Sequence, residues 1–314
     1  MYAEEAMTYF SVVIPYVAWM LVYILLGFVA VKAGWSETAH ARSISGILVY
    51  ICAPAMFFRA FQRMTYSPED FKRIGLFFVV TLAIQMVVIG ALCLLLRRKF
   101  ADARYRVLSI AAALGNVGFL GMPLVSVLFP DQPIVACYST MYVLSMNLVV
   151  FTLGVYLITR DHKYMSLRAA VLNPTTLTIL FTLPFYFFNI HLPDVIVDNL
   201  APLERMTTPL CMMVLGMRLA ATDLKALFTR PFAYISSAMK LIVYPIAAYL
   251  LVYFIPGLDA TFKSCVLVLS AVPSGAIILS LAELHRCEQE NAASVLLMSS
   301  MLCAFTIPLV LLIL

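Results

Sequence analysis

Residues 115–123 read GNVGFLGMP, inside the apolar run LSIAAALGNVGFLGMPLVSVLF of residues 108–129. Three glycines (Gly115, Gly118, Gly121), Pro123 and Asn116 fall within this short stretch. Each of them weakens or interrupts a helix. A run this apolar and this long is a membrane span, so the stretch predicts a span broken near its middle.

The chain around it is that of an integral membrane protein. Of its 314 residues, 63% are hydrophobic and 12% charged, and the mean hydropathy is +0.98. A soluble domain carries about twice that charge. Apolar stretches of about 20 residues recur along the chain, the spacing of a helical bundle and not the ten-residue alternation of a β-barrel. Ten spans are expected, at roughly 8–31, 43–62, 74–96, 107–129, 133–159, 169–190, 196–218, 231–255, 262–283 and 290–313. The first follows an acidic leader, MYAEEAM, where a signal peptide would have a basic one, so it reads as a retained span.

The net charge of +5 comes from basic residues in short loops between apolar runs, which argues against a nucleic-acid partner. The seven cysteines are scattered, mostly within apolar segments, with no CxxC or Cys/His cluster. No metal, cofactor or disulfide framework is expected. Fourteen of the 21 Lys and Arg residues fall in the loops after odd-numbered spans, and six fall on the other side. The positive-inside rule then places both termini outside the cytoplasm of a cell (inner or plasma) membrane protein. The loop between spans 2 and 3 is discordant. It carries Arg59, Arg63, Lys72 and Arg73, either for function or balanced by Glu69 and Asp70.

Ten spans divide into five plus five, residues 1–160 and 161–314. Pro15 and Pro174 stand 159 residues apart, Pro54 and Pro209 155, and Asn116 and Pro273 157. The broken span 4 thus has a partner in span 9, where SAVPSGAIILS carries Pro273, Ser274 and Gly275. An odd number of spans per copy makes the second copy inverted, the plan of many secondary transporters. At about 1.5 Å per residue, Gly115 lies about 12 Å and Pro273 about 16 Å into their spans. Both breaks then fall near the bilayer centre, where irregular backbone is tolerated only in a cavity or inside protein. Each break starts a new half-helix, whose positive N-terminus and free N–H groups suit an anion, a carboxylate above all. Candidate binding residues are Gly115, Asn116, Val117, Gly118, Pro273, Ser274 and Gly275. Glycines for close helix packing and prolines for kinks are the plainer alternative.

Two other polar positions are candidates. Lys240 lies within span 8, where a charge is costly; it attracts an anion, braces the crossing or snorkels to the interface. Asn147 in span 5 is a candidate binding residue lining the transport domain, with interhelical hydrogen bonding as the alternative. No carboxylate lies deep in spans 3–5 or 8–10, so no carboxylate proton relay is visible. No paired aspartates, HExxH motif or serine with histidine stands at span depth, and the four histidines lie in loops or at span ends. An enzyme is not expected.

GNVGFLGMPLV resembles the fourth-helix motif of the auxin efflux carrier family, which includes the plant PIN proteins and bacterial carriers. ICAPAMFF (51–58), PLCMMVLGMRLA (209–220), KLIVYP (240–245), AVPSGAIILSLAELHRC (271–287) and TIPLVLL (306–312) resemble its second, seventh, eighth, ninth and tenth helices in order. The resemblance implies an all-α fold of ten transmembrane helices, a 5+5 inverted repeat in which broken helices 4 and 9 cross at the substrate site. It implies a scaffold of helices 1, 2, 6 and 7, a transport domain of helices 3–5 and 8–10, elevator-type alternating access, and a homodimer in the lipid bilayer. Asn116 matches the crossover asparagine and Pro273 the helix-9 crossover proline. Gly115 stands where PIN proteins carry a proline, and Ser274 where they carry a glutamine. Glu283 matches a family glutamate. Only RDHKYMSL links spans 5 and 6, as in compact prokaryotic-type members.

The expected function is secondary transport of small organic anions, auxin-like or dicarboxylic acids. The alternatives are a sodium-coupled symporter of the bile-acid-carrier type and a non-translocating receptor. Sodium or proton coupling both remain open.

Overall fold

Helix ends in this chain are set by caps that the apolar pattern alone does not mark. Ser67 accepts a hydrogen bond from the Asp70 amide (3.3 Å), Pro68 occupies the first turn, and Glu69 and Asp70 face the positive helix end. The third helix therefore begins at Pro68, ahead of the expected 74. Asp102, Asn173 and Asp259 cap three later helices in the same way. Arg104 hydrogen-bonds the Asp102 carboxylate and holds it below its usual range.

The computed structural model describes residues 2–313, with side chains from Ser11 onward. Its helices are α1 (Tyr2–Lys32), α2 (His40–Gln62), α3 (Pro68–Leu95), α4a (Ala103–Ala113), α4b (Val117–Leu128), α5 (Ile134–Thr159), α6a (Leu167–Leu172), α6b (Pro174–Phe187), α7 (Ala201–Ala220), α8 (Pro231–Tyr253), α9a (Ala260–Ala271), α9b (Ala276–Leu284) and α10 (Gln289–Leu311). Short helices at Asp194–Asn199 and Leu224–Thr229 lie between them. No strand occurs among the described residues. Six helices, α1, α2, α3, α5, α8 and α10, are long and apolar enough to cross a membrane, and α4b and α9a are shorter apolar helices. Segments 162–172 and 174–187 form a seventh such unit, bent by 41° at the Asn173 cap. Large apolar side chains such as Trp19, Leu25, Leu95, Phe181 and Phe305 point out from the bundle, as a protein solvated by lipid requires.

α1 and α7 make the most extensive helix contact. Small residues permit it. A Cβ on Gly216 would lie 1.9 Å from the Ile24 carbonyl oxygen, and one on Gly27 2.1 Å from that of Met213. Backbone thus meets backbone at both crossings.

Three spans contain a π-turn that ends two residues before a proline. Leu48–Cys52 precedes Pro54, Val117–Gly121 precedes Pro123, and Met239–Val243 precedes Pro245. Proline has no N–H and its ring crowds the carbonyl four residues back, so the wider turn absorbs the clash. It also frees that carbonyl. The freed oxygen of Phe119 accepts a hydrogen bond from Thr208 Oγ1 of α7 at 2.8 Å.

Of the four charges expected in the loop between spans 2 and 3, Arg59 ends up inside α2 and Lys72 and Arg73 inside α3, and three of the four are paired with acids. Arg59, buried, donates to Glu204, and Arg63 lies 3.7 Å from the same carboxylate. Arg73 reaches Glu69 at 2.7 Å and Asp259 at 3.4 Å. The discordant loop is thus largely neutralised, by Glu69 as expected, by Asp259 and Glu204 as the sequence did not tell.

Candidate functional site

α4a stops at Ala113 and α9a at Ala271, and the two interruptions lie against each other. Leu114 and Val272 are extended. Gly115 and Ser274 form an antiparallel bridge. The Asn116 amide donates to the Pro273 carbonyl (2.8 Å), and the Gly275 amide to the Leu114 carbonyl (3.1 Å). The broken backbones satisfy each other where water is absent. No residue of either break has positive φ, so the glycines serve close approach and not left-handed geometry. A Cβ on Gly115 would lie 2.9 Å from Val272 Cγ2 and 3.0 Å from Lys240 Nζ, and one on Gly275 3.0 Å from the Gly115 oxygen.

The four half-helix ends are sorted by polarity. The C-terminal ends of α4a and α9a meet side-chain donors. Lys240, fully buried, donates from Nζ to the Ser270 carbonyl at 2.8 Å and lies over the Tyr244 ring. Ser274 Oγ donates to the Ala111 carbonyl at 3.0 Å. Both bonds fill acceptors that a helix C-terminus leaves open, and a cation is favoured at that negative end. The Tyr142 and Tyr244 hydroxyls (2.5 Å) close the same polar cluster. The N-terminal ends of α4b and α9b face the other way, into a cavity of about 340 Å³.

The cavity gathers residues from α2, α4b, α5, α6b, α7, α9b and α10 and from the breaks before α4b and α9b. Gly115, Asn116, Gly118, Asn147 and Gly275 line it, as the sequence anticipates. Val117, Pro273, Ser274 and Lys240 do not. Val117 is fully buried, Pro273 contributes its carbonyl to the pairing, and Ser274 and Lys240 brace the crossing from behind. Lys240 does not snorkel. Asn116 directs Nδ2 at Cys211 Sγ (3.5 Å), a weak acceptor, and Asn147 Nδ2 donates to Thr176 Oγ1 (3.1 Å). The remaining wall is apolar, with Phe57, Phe119, Val143, Met146, Phe151 and Val214 prominent. Ser45, Asn173, Thr175 and Ser280 add neutral polar groups, and Arg218 is the one charged side chain lining it. Sequence reasoning missed Arg218 because, at the end of a span, it reads as one more cytoplasmic charge. No group of three or more His, Cys, Asp or Glu able to hold a metal occurs among the described residues.

A family described as "Membrane transport protein" matches residues 12–164 and 156–311. The chain belongs to this family. It is the auxin efflux carrier family that the motifs of spans 2, 4 and 7–10 resemble. An uncharacterized transporter of Methanocaldococcus jannaschii is 28% identical over 286 residues, 88% of this chain and 90% of that protein. An uncharacterized transporter of Methanothermobacter thermautotrophicus is 25% identical over 299 residues, 92% and 94% of the two chains. The transporter thus shares nearly its whole length with relatives of the same class, and the paired breaks lie within the matched residues.

Proposed function

We propose that this transporter is a secondary carrier of small organic anions, with the carboxylate bound at the crossing of α4 and α9. The observation that carries the reading is the cavity itself. Two helix N-termini at the crossing and Arg218 nearer the cytoplasmic end present positive potential in a largely apolar chamber. Such a chamber fits a carboxylate with an apolar body, and its volume lies in the range of small-molecule sites.

The transport cycle of this proposal is an elevator. In this reading α4, α6 and α9 each count as one interrupted span, which makes ten, and the two family matches, one to each half of the chain, support a 5+5 repeat. The closest packing supports two bodies: α1 with α7 and α2 with α6b on one side, α3 with α5 and α8 with α9a and α10 on the other. With the termini outside, as the basic loops suggest, Ser45, Asn173, Arg218 and Ser280 lie toward the cytoplasmic ends and the cavity of this reading faces inward.

Thermal stability of the purified protein against mono- and dicarboxylates, each with and without sodium, tests the reading. Ligand at a hundredfold excess over its Kd stabilises the folded state by about 2.7 kcal/mol, so the binding class is expected to raise Tm by several degrees. No shift with any acid at millimolar concentration would sink the anion reading. A shift seen only with sodium would assign the protein to the symporters instead.

Asn116→Ala is a sharper test of the site. The asparagine side chain is 8% exposed and held only by a thiol, so its loss leaves folding nearly intact. Affinity for the binding carboxylate is expected to fall about tenfold, since a hydrogen bond to a charged group contributes roughly 1.5–3 kcal/mol. Unchanged affinity removes the Asn116 side chain from the site.

A further inference from the structure

Arg218 sits at the last turn of α7, and its side chain is 25% exposed. Among the described residues its one ion-pair partner is Glu283, on the last turn of α9b, with Nη1 3.4 Å from Oε1. The pair joins two elements that otherwise meet across the cavity. It is long and half-solvated, the weak end of the range for ion pairs. Arg218 lines the cavity and Glu283 does not. A guanidinium can take a carboxylate on two parallel N–H groups, whereas here one nitrogen meets one oxygen. The cavity's sole cation is thus held loosely by a carboxylate of the protein itself.

We propose that Arg218 is the anion anchor at the cytoplasmic end of the cavity, engaging the carboxylate on its way to the crossing, and that Glu283 competes with substrate for it. The inference rests on the carboxylate reading above. A substrate carboxylate entering the cavity displaces Glu283 and takes the guanidinium in a better geometry. The displacement also releases α9b from α7. Binding is thereby coupled to freeing the two helices whose contact spans the cavity. Arg218 has a second stabilising role open to it, as a cation at the negative end of α7, but that role does not involve Glu283.

Binding of phenylacetate and of succinate to the full-length purified protein separates these roles. In Arg218→Gln, affinity for the acid that binds the wild type is expected to fall tenfold or more. In Arg218→Lys, which keeps the charge and loses the fork, the loss is expected to be smaller. In Glu283→Gln the competitor is gone, and affinity is expected to rise about two- to fivefold, the value of a weak surface pair. Unchanged binding in Arg218→Gln overturns the anchor. Unchanged or weaker binding in Glu283→Gln overturns the displacement. A readout without ligand tests the release. Amide exchange across Ala276–Leu284 is expected to quicken about two- to fivefold in Glu283→Gln, and exchange equal to wild type overturns it. If the wild type binds neither acid, the carboxylate reading and the anchor fall together. If it binds and the variants do not differ, only the present inference falls.

Discussion

Gly216→Leu is expected to abolish the folded transporter. The Cβ of any larger residue there lies 1.9 Å from the Ile24 carbonyl oxygen and 2.8 Å from the Phe28 nitrogen. These are backbone atoms, so no rotamer change relieves the clash, and α1 and α7 must separate. Overpacking a core costs about 1–3 kcal/mol where side chains can yield; here they cannot, and the cost exceeds that range. Gly216→Ala already requires the movement and is expected to lower Tm markedly. The controls are Gly46→Ala and Gly75→Ala, in helices with nothing within 4 Å of the new methyl. Those are expected to be neutral or to stabilise by up to about 1 kcal/mol, because alanine is the better helix former. Size-exclusion profiles and Tm of the four variants check the contrast. Similar behaviour of Gly216→Ala and Gly75→Ala would mean that α1 and α7 do not cross on backbone.

Lys240→Met is expected to leave a folded protein that binds at least tenfold more weakly. Two terms oppose each other in stability. Methionine fills much of the lysine volume and removes the cost of burying a cation. It also leaves the Ser270 carbonyl without its donor, which costs about 1–3 kcal/mol. Tm therefore moves little. The crossing, however, loses the group that fastens α8 to the end of α9a beside Gly115. Affinity for the carboxylate that binds the wild type is expected to fall at least tenfold. Lys240→Arg is not expected to rescue it, because Gly115 already lies against Nζ and a guanidinium has no room. Near-wild-type binding in Lys240→Met would remove the lysine from the architecture of the site.

Much of this was legible in the sequence, for reasons that can be named. Gly115, Pro123, Pro273 and Gly275 weaken helices by their backbone chemistry, and their clustering with Asn116 and Ser274 marks the breaks in α4 and α9 without a structure. The offset between Asn116 and Pro273 brought the two breaks together on paper, and the structure pairs them. The direction of a side chain around a helix is harder to read. Lys240 reads from the sequence as an anion attractor, a brace for the crossing or a snorkelling charge, because spacing does not tell which way it faces; the structure buries it against the Ser270 carbonyl. Arg59 and Arg63 read as stray outer charges because their partner, Glu204, lies far along the chain. Arg218 was hidden by position, since the positive-inside rule already accounted for a cation there. The start of α3 was misplaced because Ser67, Pro68, Glu69 and Asp70 lower the local hydropathy while capping the helix.

The two hydrogen bonds between Leu114–Asn116 and Pro273–Gly275 make the breaks a single body. Whatever displaces one displaces the other, so the N-terminal ends of α4b and α9b keep their mutual spacing. On the proposed elevator cycle, the contribution of those helix ends to binding is then the same whichever compartment the chamber opens to. A carrier of the proposed kind would supply a path without a preference, with the sign of net flow left to the gradients on its two sides.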